Sequence, residues 1–386
     1  MESIIIKNFG PIKEAEFADI KKITIFIGES GSGKSTIMKI IALFRWLYKM
    51  LNIRSFLKYS GIKKSPFRFS FTNLLKHNGI LGYLQHDTVL IYKNGSLLLE
   101  WDSKAKKLRG TSSFIPKNEL SLEKISYISD KRNLISNIVD NNLTIKREMF
   151  YLNETFSDFE TAVRDVKEIE ILDLGVKFTA KRTAQGIKYY VIPNDESHIY
   201  SIKLNEASSG TQSVVPINVI VEYYSKYYDL VSSINNAIFS YVSKSDKLSD
   251  FKAVKNVGEF SNKNVHLIIE EPELSLFPSS QKELIDFLIS HIAHDKKRDY
   301  KISLMMATHS PYIVNYLNVL MRRFSSRTVG KPGVDPEQLS VYRVYEGQVQ
   351  NLMSRNIQSG EVLVNTMDLS EDMEEIYNEY VGLKIS

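Results

Sequence analysis

The segment GESGSGKST, from Gly28 to Thr36, fits the spacing G-x-x-x-x-G-K-S and sits between an apolar run, Ile23 to Ile27, and the helix-patterned run IMKIIALFRWLYKML. Glycines let such a loop wrap with its N–H groups turned inward, and the helix that follows aims its positive end at the same point. The matching ligand is a nucleoside triphosphate with Mg²⁺. In that reading Gly28, Ser30, Gly31, Gly33 and the Thr36 backbone form the cradle, Lys34 reaches the β- and γ-phosphates, and Ser35 ligates Mg²⁺ through its hydroxyl.

A second segment, NVHLIIEEPELSLFP from Asn264 to Pro278, delivers two adjacent carboxylates at the end of an apolar strand. Buried unpaired carboxylates lose hydration, so the pattern implies a cation or a reacting water at that strand end. Neighbours on a strand point to opposite sides, which assigns Glu270 to the Mg²⁺ shell and Glu271 to the base that orients an attacking water. In ATHSPYIV, His309 follows another apolar strand and can hydrogen-bond a γ-phosphate or that water. In NEASSGTQSVVPI, Ser208, Ser209 and Gly210 open a helix and form a second anion-binding end. Either Lys34 and Gly210 converge on one nucleotide within a chain, or Ser209 and Gly210 complete the site of another subunit. His291 and His294, three apart near a helix end, lack an acidic ligand nearby in sequence and read as complements to the helix C-terminus.

These residues need a scaffold. Residues 3–9, 15–17 and 23–27 alternate or run apolar around a Gly10-Pro11 turn, which predicts a small β-meander leading into the loop. Asn94-Gly95 predicts a hairpin within DTVLIYKNGSLLLEW, and a strand at Lys124 to Ile128 ends in YISDKRN. A polar helical stretch runs to Lys167, with strands near Ile169 to Phe178 and Ile187 to Ile192. Helix is expected from Gly210 to about Tyr228 and on to Lys247, strands at Val265 to Ile269 and Ile302 to Ala307, and a helix from Ser280 to about His294. Short apolar strands alternating with helices predict an α/β core with a mostly parallel buried sheet. DLSEDMEEIYNEYV reads as an acidic helix with Asp368 as cap and Glu371 three residues on.

The 386 residues are 43% hydrophobic and 25% charged and contain no cysteine, which excludes a disordered tail, disulfides, thiolate metal sites and a thiol nucleophile. The run Ile37 to Trp46 is interrupted by Lys39 and Arg45 and is too short to cross a bilayer, so a cytoplasmic protein without membrane contact is expected. Net charge is +5, unevenly spread: ten Lys or Arg and no acid lie between Ser30 and His86, while seven acids and one lysine lie between Glu361 and Ser386. The basic stretch would suit a polyanion.

In order, GESGSGKST, SSGTQ, LIIEEPE and THS resemble the motifs of ABC-type ATPases of the SMC, RecF and OLD group. IIIKNFGPIKEAEF, EEPELSLFP and ATHSPYIV are most similar to compact AAA-family relatives of OLD proteins. The resemblance covers most of residues 1–50 and 200–345. It implies an ABC-ATPase head with an antiparallel β-subdomain and a helical, variable lobe. It also implies hydrolysis of ATP with Mg²⁺, and a homodimer or higher homo-oligomer around composite ATP sites. SSGTQ is then the signature, adding Gln212 to the nucleotide-binding residues, with Ser209 and Gly210 of one subunit touching the γ-phosphate held by Lys34 of the other. Asp130 stands near the position where the family carries a Q-loop glutamine, and Glu270 replaces the commoner Asp.

The parts expected are residues 1–50 with the meander and phosphate loop, 51–135 as a basic β-rich subdomain, 136–205 as the variable lobe, and 206–386 with the signature, carboxylates, switch histidine and acidic helix. Long heptad arms are absent, and too few residues follow Gly347 for a TOPRIM nuclease domain of about 100 residues, although Tyr345-Glu346-Gly347 superficially resembles a TOPRIM glutamate. The chain is thus similar to the ATPase subunits of two-gene phage-defence systems of the PARIS and Septu kind. That resemblance implies a separate effector, a nuclease, and a phage-derived trigger such as DNA or an acidic DNA-mimicking protein. A RecF-like repair ATPase on duplex DNA, and a nucleotide-locked scaffold with negligible turnover, are the alternative expectations.

Overall fold

The computed structural model describes residues 1–61, 70–110, 114–140, 143–146, 149–172, 174–184, 186–195, 197, 199–243, 260, 262–293, 298–356, 360–367, 378–379 and 381. Three strands open the chain: β1 (Glu2–Phe9), β2 (Ile12–Phe17) and β3 (Ile23–Ile27). Helix α1 (Lys34–Tyr59) and the short α2 (Phe71–His77) precede β4 (Leu84–Asn94), β5 (Leu97–Asp102), β6 (Lys107–Gly110) and β7 (Ser121–Ile128). Then come α3 (Ile135–Asp140), α4 (Phe150–Ala162), β8 (Glu168–Glu170), β9 (Val176–Thr183), β10 (Gly186–Pro193) and β11 (Ile202–Lys203). Helices α5 (Ser209–Lys226) and α6 (Leu230–Ser243) lead to β12 (Asn262–Glu270), α7 (Pro278–Ala293), β13 (Lys301–Thr308) and α8 (Pro311–Ser325). Four short strands follow: β14 (Leu339–Tyr345), β15 (Gln348–Asn351), β16 (Met353–Arg355) and β17 (Val362–Val364).

Eleven strands form one sheet in the order β6-β5-β4-β1-β2-β15-β14-β3-β13-β12-β7. The half from β14 to β7 is parallel, and the half from β6 to β2 is antiparallel. The architecture is therefore α/β, with the parallel core and antiparallel subdomain the sequence predicts. Alternation along the strands divides the interior: Ile268 and Met305 face α1 and the antiparallel half, while Leu267, Ile269, Leu304 and Met306 face the layer of α5, α7 and α8. A second sheet, β11-β10-β9-β8, packs Phe178 and Tyr189 against Phe159 of α4.

The expected meander is only half realised. β1 and β2 form a hairpin, but β3 leaves them, and β15 and β14 separate it from β2. The residue pattern explains this: β2 alternates buried and exposed, whereas all five residues of β3, ITIFI, are buried, as a strand covered on both faces requires. The strand expected from Ile169 to Phe178 is two elements, β8 and β9. The hairpin at Asn94-Gly95 is present as β4 and β5, with Gly95 at φ +58°. Helix α8 and the hairpin β14-β15 were not foreseen, and Tyr345-Glu346-Gly347 is the turn of that hairpin. The expected helix beyond Ser243 to Lys247, His294, and the acidic helix from Asp368, apart from residues 378, 379 and 381, lie outside the described residues.

Part of the basic stretch lies inside the fold rather than on its surface. Lys34 and Arg45 are buried; Arg45 forms a two-pronged ion pair with Glu2 at 2.8 and 2.9 Å. Burial lowers Lys49 to a pKa of about 8. A run of cations in one dimension follows α1 around its axis, so the sheet takes some of them inside.

Candidate active site

Register brings the motifs together. In the parallel core Ile27 pairs with Thr308 and Glu270 with Ala307, so β3, β13 and β12 end at one edge. The phosphate loop, His309 and the two glutamates leave the sheet side by side, outside the carboxyl ends of parallel strands where α/β folds bind ligands.

Within the loop, two glycines are required by close approach. A Cβ on Gly28 would lie 2.2 Å from the Val344 carbonyl oxygen, and one on Gly33, at φ +111°, 2.3 Å from Ile12 Cδ1. The hairpins β1-β2 and β14-β15 thus press the loop into shape, and α1 starts directly from Gly33. The Lys34 ammonium donates to the carbonyls of Gly28 at 2.7 Å and Glu29 at 2.8 Å. Burial pulls its pKa down to about 8, opposed by the carboxylates of Glu271, Glu273 and Glu29. Ser30 and Gly31 are exposed, Ser35 is half-buried and Thr36 buried. Ser32 Oγ is buried with no hydrogen-bond partner.

The glutamate pair is divided, but by a turn rather than by strand alternation, since β12 ends at Glu270. The Glu270 side chain is 4% exposed, 3.9 Å from Lys39 Nζ. Burial, then the Glu270 charge, hold the Tyr127 phenol well above its usual range. Glu271 is 37% exposed, and its Oε1 lies 3.4 Å from His309 Nε2. Its backbone is left-handed at φ +44°, with its N–H donating to Ala307 O at 2.8 Å. Such a conformation costs a bulky residue of order 1 kcal/mol and turns the side chain off the strand. Glu273 accepts the His309 N–H on Oε1 at 2.5 Å, while its Oε2 is buried and unpartnered. The Ser310 side chain caps α8 and donates to Gln281, which fixes the chain beyond His309.

The Ser208–Gln212 segment stands apart from this cluster. The Ser208 hydroxyl caps α5 by accepting the Thr211 N–H at 3.3 Å; Ser208 and Ser209 are exposed and Gly210 is buried. A Cβ on Gly210 would come within 2.8 Å of the Ser275 carbonyl. Gln212 is engaged within its own chain, donating to Asn205 O and Ala207 O and accepting from Ser136 Oγ. Among the described residues no hydrogen bond or ion pair joins 208–212 to 28–36; the link runs through residues 270–276.

Two residues that sequence reasoning missed tie these parts together. Glu273 is one. The other is Arg132, fully buried in the turn after β7, which donates to the carbonyls of Ser129, Ser213, Glu270 and Glu271 at 2.6–3.2 Å. Asp130, placed near the Q-loop position, instead accepts from the Ser129 hydroxyl at 2.8 Å. The only signal for Arg132 is a basic residue in YISDKRN immediately after a buried strand. His291 has a tertiary acidic partner, Glu222 of α5, at 2.7 Å.

The cradle fits a magnesium nucleotide. The unpartnered Ser32 Oγ and the Lys34 ammonium, held on the loop's own carbonyls, are donors of the kind a polyphosphate needs. Ser35 and Glu270 would hold Mg²⁺. Among the described residues no group of three or more His, Asp or Glu could hold a metal alone. Mg²⁺ at nucleotide sites takes one or two protein ligands and completes its shell with phosphate oxygens and water. Bound there, Mg²⁺ would neutralise phosphate charge.

Among the described residues no helix is long and apolar enough to cross a membrane. No curated protein matches the chain. Among solved structures it is similar to an SMC head bound to the C-terminal winged-helix domain of ScpA, with 11% identity over 95% of this chain and 98% of that one, at a TM-score of 0.39. It is also similar to the SMC head domain from Thermotoga maritima, with 11% identity over 90% and 97%, at a TM-score of 0.37. These are distant likenesses. The family model described as AAA ATPase domain matches residues 1–78 and 88–314, most of the sequence, including the phosphate loop, the Ser208–Gln212 segment, the glutamate pair and His309, and the chain belongs to that family.

Proposed function

We propose that this protein binds and hydrolyses ATP and assembles as a homodimer or higher homo-oligomer around the nucleotide. Lys34, Ser35, Glu270, Glu271 and His309 of one subunit supply one half of each site. Ser208, Ser209, Gly210 and Gln212 of another supply the second. Glu271 takes the proton of the attacking water, and His309 beside it steadies that water or the γ-phosphate. Residues 1–50 and 206–386 make up the ATPase lobe, 51–135 a basic, β-rich subdomain, and 136–205 a variable helical and β lobe. The assembled form senses a phage-derived trigger and controls a separate nuclease in antiviral defence. Motif resemblance supports this last part.

The observation that carries the reading is the exposure of Ser208 and Ser209 on a helix end that, among the described residues, has no hydrogen bond or ion pair to its own phosphate loop, while Gly210 is clamped to Ser275 beside the catalytic cluster. A second subunit's nucleotide is the natural partner of such an end. Glu271→Gln tests the chemistry: turnover should fall by at least about a hundredfold, with ATP retained and the assembled form accumulating in light scattering. Wild-type turnover in that variant would refute Glu271 as the base. Mixing Lys34→Ala with Ser209→Arg chains should restore part of the activity that each lacks alone, and failure to do so would refute the composite site.

A further inference from the structure

The strand ladder on one side of the catalytic pair stops early. β7 pairs with β12 from Asn262↔Ser121 to Ile269↔Ile128, and then turns away at Ser129. The carbonyls of Glu270 and Glu271 therefore lie past the last pair on that side, and buried carbonyls need donors. Arg132 supplies them: Nη1 donates to Glu270 O at 2.7 Å and Nη2 to Glu271 O at 2.6 Å. Its third nitrogen, Nε, donates to Ser213 O at 2.9 Å, in the first turns of α5. α5 continues through Pro216, whose missing N–H leaves the Gln212 carbonyl, one residue before Ser213, without its helical donor.

One rigid plane thus fastens the backbone of both candidate catalytic carboxylates to the helix that begins with Ser208 and Ser209. All four acceptors are main-chain carbonyls, so no carboxylate bonds the cation directly. Burial lowers its pKa to about 10, and the charges of Glu273, Asp130, Glu271 and Glu270 hold it protonated at neutral pH. An arginine buried at this cost, on a fork whose directions are fixed, specifies geometry where an apolar residue would fill the space more cheaply. Gly210 against Ser275 is a second fastening between the same two bodies.

The geometry points to Arg132 as a positioning residue that makes the α5 end and the Glu270-Glu271 strand end move as one. Contact of Ser209 and Gly210 with a neighbouring subunit's phosphate then sets the alignment of Glu271 in their own subunit. This rests on the reading of the site proposed above. Arg132 acts through the main chain it holds.

The test uses the full chain with Arg132→Lys, which keeps the charge and loses the planar fork, and Arg132→Gln, which is neutral and keeps two donors. Steady-state turnover, affinity for a fluorescent ATP analogue and melting temperature are measured well below the melting point of each variant. Expected are a fall in kcat of at least about tenfold, nucleotide affinity within about twofold of wild type, and a larger kcat loss for Gln than for Lys. The tenfold loss should also persist in single-turnover measurements, which a merely structural role would not require. If wild type hydrolyses ATP in a Lys34-dependent way and both folded variants keep its kcat, the assignment of Arg132 is overturned while the site stands. If wild type shows no Lys34-dependent turnover, the site reading itself fails. If neither variant folds, an Arg132→Lys chain expressed with the bound analogue present should be recovered soluble and slow, and recovery with wild-type kcat would equally overturn the assignment.

Discussion

Gly210→Ala probes the seam between α5 and the turn after β12. The new Cβ would lie 2.8 Å from the Ser275 carbonyl oxygen and 3.5 Å from Leu276 Cδ2. Ordinary contact begins near 3.4 Å, so the helix end and the turn must separate by about 0.6 Å. Neither side yields easily. Ser275 is left-handed at φ +61°, the Leu276 N–H is bonded to Glu273 O at 2.9 Å, and α5 is tethered through Ser213 O to Arg132. Overpacking of this kind costs about 1–3 kcal/mol, a fall in melting temperature of a few degrees in a chain of this size. The functional effect should be larger. Donors displaced by about half an ångström from an anionic oxygen lose much of their effect, and removal of one such donor costs roughly a hundredfold in turnover. ATP-analogue affinity, measured under dilute conditions that keep the chain monomeric, should be unchanged, because the Lys34 cradle lies elsewhere. Turnover by phosphate release should fall by about two orders of magnitude, and ATP-driven assembly should weaken. Wild-type turnover and wild-type melting would refute the close approach. A monomer that loses its nucleotide affinity would refute the composite site, since it would mean that both helix ends serve one nucleotide within a chain.

Two further outcomes follow from buried charge. Because the Lys34 pKa is near 8, the free protein loses that proton as pH rises past 8, whereas bound phosphate favours the ammonium. Nucleotide binding should therefore take up protons at pH 8–9 and weaken above that window, measurable by calorimetry in two buffers of different ionisation heat; uptake independent of pH would count against it. An unfolded lysine keeps its proton to about pH 10.4, so the unfolded chain binds more protons between about 8 and 10, and this group's contribution to stability rises with pH across that range. Asp158 accepts from Lys124 Nζ at 2.7 Å, Ser126 Oγ at 2.6 Å and Tyr224 OH at 2.8 Å, all buried or nearly so. Asp158→Ala leaves the Lys124 ammonium without that partner and should cost about 3–5 kcal/mol, roughly 5 °C in melting temperature. Adding Lys124→Met should recover part of it, and a melting curve unchanged by Asp158→Ala would show that the cluster is solvated.

What could be read from sequence and what could not divide along one physical line. The phosphate loop, the strand Val265–Ile269 and the strand before His309 were legible because each is a local pattern: glycines where backbone must approach closely, and apolar runs where a strand is covered on both faces. Their convergence was legible too, since parallel strands in an α/β sheet put their carboxyl ends on one edge. Sheet order was not. The strands that separate β2 from β3 lie over 300 residues further on, and no local signal in residues 1–27 announces them. Charged side chains were the least legible, because solvation is decided by tertiary neighbours. Arg45 reads as part of a basic run but pairs with Glu2 inside, and His291 reads as an unpartnered helix-end residue but meets Glu222 from another helix. Arg132 is the limiting case. Its partners are four main-chain carbonyls, groups every residue carries, so a basic residue just after a buried strand is the one mark it leaves in the sequence, although it holds the candidate catalytic strand to α5. A motif in sequence therefore locates the groups that act on a ligand, while the groups that hold them in place become visible only when the backbone they serve has been folded around them.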